Sequence, residues 1–467
     1  MGVLTSRTAW ARVGWRSLGV IASFVIGSGL ISLSGGKAGP AQAGPAQAGP
    51  AQATRLVIMQ VTSSCFPNTL APDAGVRIST LASPTATVDA AIETHLLRMR
   101  EAGVDAVSLV LPVSPDGAPP ASAADLPDRW LGAMKKSAPG MKLCVCLQGA
   151  GPGAGGAADR MAAGIDALLK PLGDNPLYLR QDGKPVILTW PTGADTAVGS
   201  WLAVRQALKQ PCFFVGGIVA GPTRAGEAPD FDERAMRAAA RGFDGLMVIP
   251  EGASLNWMQT FFPRLSIIAR AASKPFICGI SPGYYRKGDA FQEPQTDYLE
   301  TAWQIALDGG DAIAAIYSWN DISSDTDCWP SANKGSALLD LHQFYVGWFH
   351  TGRQPRPERD LLFLSFPVTN CGRRGTTDGD SPSYPDLSYW ACLKKAARLN
   401  IDGVGTAELP RGLSAGQVGP VTPRLPSGFQ LVRGRADSSG PISEPMIAQP
   451  AGEDLRYRWV ELSGSLP

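Results

Sequence analysis

Histidine is nearly absent from this chain: three occur in 467 residues, at His95, His342 and His350. Zinc hydrolases draw many of their ligands from histidine, and a conventional Ser-His-Asp hydrolase needs one as its base. The scarcity argues against both classes. An excess of one charge is missing too, since 42 Lys and Arg face 41 Asp and Glu, a formal net charge of +1. No basic stripe interleaved with aromatics stands out, so nucleic acid is not an expected partner. Beyond Leu33 no run is long and apolar enough to cross a bilayer.

The amino terminus carries the pattern of export. Arg7, Arg12 and Arg16 precede an uncharged apolar stretch over 18–33. A threefold Gly-Pro-Ala-Gln-Ala repeat follows over 39–53, and each copy holds an Ala-x-Ala cleavage pattern. Residues 1–53 are therefore expected to be a signal peptide and linker, with the body of the protein secreted or periplasmic and free of the membrane after cleavage. An uncleaved anchor is the alternative. Eight cysteines suit an oxidising compartment, and their spacing is not that of a metal site. Cys371 with Cys392 is the first disulfide candidate and Cys65 with Cys328 the second. Cys144 and Cys146, two apart on a predicted strand, read as buried apolar residues. No metal or other cofactor is expected.

Strand-like and helix-like segments alternate over 54–353. The predicted strands are 56–61, 106–111, 142–147, 186–190, 213–219, 246–249, 276–280 and 312–317. They are short and almost wholly apolar, as strands covered on both faces must be. Helical spacing fills the gaps: Ile92, Leu96 and Met99 before a stop at Gly103, and Leu299, Trp303 and Leu307 before Gly309-Gly310. Further helices are read over 161–169, 197–208, 231–240 and 255–272. Eight alternating units predict an α/β fold, a (β/α)8 TIM-like barrel, with a doubly wound sheet as the alternative. Over 354–467 the helical period fades and Pro, Gly and Ser rise. Strands at 361–366, 429–432 and 457–462 and a short helix at 391–399 predict a small β-rich, sandwich-like accessory domain.

In such a barrel, residues just past the strand ends converge on one face. Thr62, Ser63, Ser64, Pro112, Asp116, Gln148, Trp190, Glu251, Ser281, Tyr284, Tyr285, Trp319, Asn320, Asp321, Asp325 and Asp327 fall there. The set holds aromatics, amides and several carboxylates, with no Lys, Cys or His poised as a nucleophile. That inventory suits glycoside hydrolysis, in which one carboxyl group gives a proton and another stays ionised beside an aromatic platform. Asp321 is the first choice for one role, and Glu251 and Asp325 compete for the other. Trp319, Trp190, Tyr284 and Tyr285 are read as sugar-stacking rings, and Asn320 and Gln148 as hydroxyl partners. The cluster Gly149-Ala-Gly-Pro-Gly-Ala-Gly-Gly156 reads as a rim loop, because Pro152 spoils a phosphate-binding fingerprint. Asp105 precedes the second strand and reads as structural.

Tyr317-Ser-Trp-Asn-Asp321 resembles the Thr-Trp-Asn-Asp segment of glycoside hydrolase family 71, the endo-1,3-α-glucanases or mutanases. Gly103-Val-Asp-Ala-Val, Met141-Lys-Leu-Cys-Val-Cys-Leu, Asn175-Pro-Leu-Tyr-Leu-Arg-Gln-Asp-Gly-Lys-Pro185 and Lys274-Pro-Phe-Ile-Cys-Gly-Ile-Ser-Pro-Gly-Tyr-Tyr285 resemble further segments of that family, in its order. The resemblance, to a divergent bacterial-type member, implies a secreted barrel enzyme that hydrolyses α-1,3-glucan with inversion, carries a β-rich carboxyl-terminal region and needs no metal. It implies that Asp321 is a catalytic carboxylate. Two positions depart from the pattern: Ser324 stands where the family has Glu, and Gln148 where its third strand ends in Asp. Asp325 after a one-residue shift, or Glu251 from across the barrel, is then the second acid. Glycan binding without cleavage is the other outcome of that loss, and a glycosidase for a different polysaccharide on the same scaffold is the third reading.

Overall fold

The computed structural model describes residues 55–63, 87–114, 119, 123–149, 157–191, 197–219, 232–250, 255–283, 296–310, 312–321, 326–331, 334–356, 358–367, 387–401, 404–418, 429–432 and 457–461. The export segment expected over 1–53 lies outside them.

The first half of the barrel runs β1 (Leu56–Thr62), α1 (Val88–Glu101), β2 (Ala106–Pro112), α2 (Leu126–Ser137), β3 (Lys142–Gly149), α3 (Ala157–Leu172), β4 (Arg180–Gln181), β5 (Lys184–Pro191) and α4 (Ala197–Ala207). The second half runs β6 (Phe213–Val219), α5 (Glu233–Gly242), β7 (Gly245–Ile249), α6 (Leu255–Ala271), β8 (Phe276–Ile280), α7 (Thr296–Gly309), β9 (Ile313–Ile316) and α8 (Ala337–Thr351). Eight parallel strands pair in the order β3-β2-β1-β9-β8-β7-β6-β5, and β3 pairs with β5 to close the ring. That closure decides for the barrel and against the open sheet. The two-residue β4 is an antiparallel appendage of β5.

Local signals explain the boundaries. The Thr87 hydroxyl accepts the Ala90 N–H and caps α1, whose buried face is Ala91, Ile92, His95, Leu96 and Met99. Gly103 turns the chain into β2 with φ +82°, a left-handed conformation that favours glycine. At the amino-terminal ends of the strands, Asp105 accepts the Val57 N–H at 2.7 Å and meets His350 Nε2 at 2.8 Å. Asp244 likewise accepts the Phe214 N–H and pairs with Arg205 at 2.7 Å. Asp105 is thus structural, as its position implies.

Cys144 and Cys146 are buried in the wall. Burial pushes the Cys144 thiol up to about 12, against a smaller lowering from Ser108. Neither expected disulfide forms at its described end. Cys328 is a free thiol whose Sγ lies 3.8 Å from Met59 Sδ, and Cys392 is a free thiol in the apolar layer between β-sheet and barrel. Both point into packed interior, and Cys65 and Cys371 lie outside the described residues.

The carboxyl-terminal region contributes β10 (Leu361–Pro367), β11 (Leu387–Leu393), β12 (Ala397–Ile401), β13 (Gly405–Leu409), β14 (Gly412–Val418), β15 (Phe429–Val432) and β16 (Tyr457–Glu461). They form two antiparallel sheets, β14-β11-β10-β16 and β13-β12-β15. Leu364 and Tyr389 of one sheet share a buried cluster with Leu399 and Leu409 of the other. The helix expected over 391–399 is instead the end of β11, an exposed Lys394-Lys395 turn and the start of β12. Ala397, Leu399 and Ile401 are buried while Arg398 is exposed, a period of two that a strand satisfies and a helix cannot. Trp390 and Ser388 of β11 face the barrel. Trp390 Nε1 donates to Tyr345 Oη at 2.8 Å, and the Thr296 N–H donates to Ser388 Oγ.

Candidate active site

The segment after β9 is held on both sides by backbone hydrogen bonds. The Tyr317 N–H continues the β8 pairing by donating to the Ile280 carbonyl, and the Trp319 N–H donates to the Gln60 carbonyl of β1. The Ser318 N–H donates to the Thr326 carbonyl, while Cys328 and Trp329 donate back to the carbonyls of Ser318 and Trp319. The chain therefore leaves the wall at Asn320 and returns beside itself by Thr326. Asp321 sits in that excursion, 8 % exposed. Its N–H donates to Ser318 Oγ at 2.8 Å, and its carbonyl accepts the Thr326 N–H.

Several rim residues play other parts than the sequence suggests. Trp319 is expected to present its ring to a sugar, but it is 0 % exposed and lies on the helix side of the wall. Its indole N–H donates to His95 Nδ1 of α1 at 2.9 Å. Asn320, expected to bind hydroxyls, is also fully buried. Its Oδ1 accepts the Thr62 N–H at 2.8 Å and its Nδ2 donates to the Thr62 carbonyl at 3.1 Å, so the amide is spent clamping the end of β1. Both corrections have one cause: past the last paired residue the chain abandons strand alternation, and position alone does not tell which way a side chain turns.

The ring that does face inward is Tyr317, which the sequence reading passes over. Its hydroxyl reaches Met247 Sδ of β7, two strands from β9, at 3.2 Å and lies 3.5 Å from Gln60 Nε2. The alternation Ile313, Ala315, Tyr317 is the signal that points to it. Trp190, expected to stack on a sugar, is 4 % exposed and meets Tyr317, 1 % exposed, edge to face with ring centroids 5.4 Å apart, so both rings are packed inside the barrel. Gln148 is half-buried at the carboxyl end of β3, opposite Trp190 in the register with β5. Gln60 Oε1, Thr62 Oγ1 and Ser63 Oγ are buried at the upper end of β1 with no hydrogen-bond partner among the described residues. Asp327 is committed to a buried ion pair with Lys334 at 2.8 Å. Ser281 bonds within its own loop, to Gly283. Glu251, Tyr284, Tyr285, Asp116, Ser324 and Asp325 lie outside the described residues.

No protein-family model matches the chain, and no curated protein does. Among solved structures it is similar to the GH99 endo-α-mannosidase of Bacteroides thetaiotaomicron, with 17% identity over 64% of this chain and 98% of that one and a TM-score of 0.49. A chitinase from the same organism gives 10% identity, 65% and 99% coverage and a TM-score of 0.37. A GH5_18 protein of Bifidobacterium longum subsp. infantis gives 11% identity, 65% and 80% coverage and 0.40. Likenesses of this size carry no argument about substrate or site.

Among the described residues no group of His, Cys, Asp and Glu could hold a metal ion, and no helix is long and apolar enough to cross a membrane. Burial lowers His95 from 6.5 to about 4, so its ring is neutral where it meets Trp319. What this end of the barrel offers chemically is Asp321 on a backbone held by Ser318 and Thr326, with buried hydroxyl and amide groups on the adjoining β1.

Proposed function

We propose that this chain is a glycoside hydrolase that cleaves a polysaccharide, with α-1,3-glucan the substrate implied by the resemblance to family 71. The observation that carries the reading is Asp321: an acid whose backbone is held by Ser318 and Thr326 at the carboxyl end of a closed barrel, where such folds do chemistry. In the inverting course, one carboxyl group protonates the glycosidic oxygen as the bond to the anomeric carbon breaks. A second carboxylate takes a proton from the water that attacks that carbon from the opposite side. Asp321 takes one of these roles and Glu251 or Asp325 the other, with carboxyl groups roughly 6.5–9.5 Å apart to admit the water. Tyr284 and Tyr285 hold the sugar, and Gln148 meets its hydroxyls. The Thr62 and Ser63 hydroxyls, buried without a partner among the described residues, are further groups that a hydroxyl-rich ligand satisfies. Trp319 and Asn320 support the carboxylate rather than the sugar.

A second reading is glycan binding without turnover, and Ser324 in place of the family's Glu is the observation that favours it. Reducing-sugar release from insoluble α-1,3-glucan by residues 54–467 separates the two. Hydrolysis predicts release, and a loss of about 10²- to 10⁴-fold in Asp321→Asn, the span that positioned acid–base catalysis contributes. Sedimentation with the glucan but no release would favour the binding protein.

A further inference from the structure

We infer that His95 of α1 is a positioning residue for Asp321, pinning both ends of the loop that carries this carboxylate to the barrel's outer helix layer. The inference rests on the hydrolase reading only for its kinetic consequence.

His95 lies between two tryptophans of that loop, Trp319 just before Asp321 and Trp329 shortly after it. Trp319 meets the imidazole edge-on at 5.6 Å, and Trp329 stacks on its face at 5.6 Å with the planes 27° apart. The two tryptophans are themselves joined, since the Trp329 N–H donates to the Trp319 carbonyl at 3.0 Å. One ring from α1 thus contacts both Trp319 and Trp329. Everything the candidate acid does in orientation depends on where 319 and 329 stand.

The chemistry of the contact is specific. An indole N–H can only donate, so His95 Nδ1 must hold a lone pair and the proton must reside on Nε2. A buried apolar side chain would fill the space without the cost of burying an imidazole. Nor does an indole in this fold require a partner to be buried: Trp201 Nε1 and Trp329 Nε1 have none among the described residues. The indole that leads into Asp321 does have one, from a helix 224 residues away in the chain. Direct bonds reinforce the same point, because Asn320 ties the next residue to Thr62. With Trp319 and Asn320 both anchored, the Asp321 backbone has little freedom, and misplacement of a catalytic group by about 1 Å costs on the order of a hundredfold in rate.

The test compares His95→Phe, which keeps a ring but accepts nothing, with His95→Asn, whose side-chain oxygen can stand near Nδ1. On α-1,3-glucan, His95→Phe should lose about tenfold or more in kcat with KM within about twofold, and His95→Asn should recover most of it. Hydrogen exchange, read by mass spectrometry, should rise in His95→Phe for peptides spanning 317–329 while the β2 peptide keeps its protection. An unchanged 317–329 peptide, equal loss in every peptide, or His95→Asn no better than His95→Phe would each overturn the inference. If the unaltered chain releases no sugar, the hydrolase reading fails and the exchange result alone decides on the contact. Should His95→Phe fail to fold, Trp319→Phe removes the same hydrogen bond from the other side, and the same peptides must loosen.

Discussion

His95 and His342 occupy the same chemical position in different parts of the core. Each is buried, and each accepts an indole N–H at Nδ1, from Trp319 at 2.9 Å and from Trp303 at 3.2 Å. Burial lowers the first to about 4 and the second to about 3. Unfolding returns both to about 6.5. Between those limits the unfolded chain binds protons that the folded chain refuses, so stability is complete above about pH 6.5 and declines as pH falls toward the folded values. At about 1.4 kcal/mol per pKa unit, each residue accounts for a few kcal/mol of that decline. The urea midpoint should therefore drop steeply from pH 6.5 to 4, and His342→Leu should flatten the slope even though it leaves Trp303 unpaired. A midpoint independent of pH over this range would show that burial does not hold these rings neutral. The same scale shows what a sequence can and cannot disclose. Asp105 and Asp321 are legible from their distance to a strand end. Trp319 and Asn320 are not, because their direction depends on partners at His95 and Thr62 that lie more than two hundred residues away.

Elements are legible where one physical pressure acts alone. A run such as Phe213–Val219, apolar at every position, suits a strand covered by a helix on one side and the lumen on the other, and its limits fall where the sequence places them. Residues 391–399 mislead because an apolar stretch is cut by Lys394-Lys395, and only the alternation of Ala397, Leu399 and Ile401 shows that two strands meet there. Glycine marks another pressure at β8. A Cβ on Gly279 would stand 2.2 Å from the Val248 carbonyl oxygen and 3.2 Å from the Tyr317 ring. The first contact is with backbone of the neighbouring strand, which cannot swing aside. Gly279→Ala should cost about 1–3 kcal/mol, typical of overpacking a tight core. Because Tyr317 and the Asp321 loop follow from the β9 edge, the same change should reduce glucan hydrolysis more than glucan binding. Wild-type stability in Gly279→Ala, measured by urea unfolding, would mean that β7 and β8 part easily.

At the scale of the whole molecule, the barrel and the β-rich region meet through residues that neither could expose alone. Trp390 of β11 packs on Phe344 at 4.9 Å and on Phe363 at 5.6 Å, and its N–H is satisfied by Tyr345 of α8. Tyr345 in turn stacks on Trp303 of α7, with ring planes 4° apart. An aromatic chain thus runs from the accessory sheet to the helix layer of the barrel, crossing the boundary expected at 353 and 354. Burial of this kind couples the two regions: loosening one exposes the apolar face of the other. Residues 54–467 should accordingly unfold in a single calorimetric transition. Trp390→Ala should lower that whole transition by about 3–5 kcal/mol, the usual cost of removing a buried Trp side chain. A fragment ending at residue 353 should aggregate, because Phe344 and Tyr345 would face water. Two separate transitions, only one of them moved by Trp390→Ala, would instead show that the sheets are a passenger and that the barrel alone carries the site.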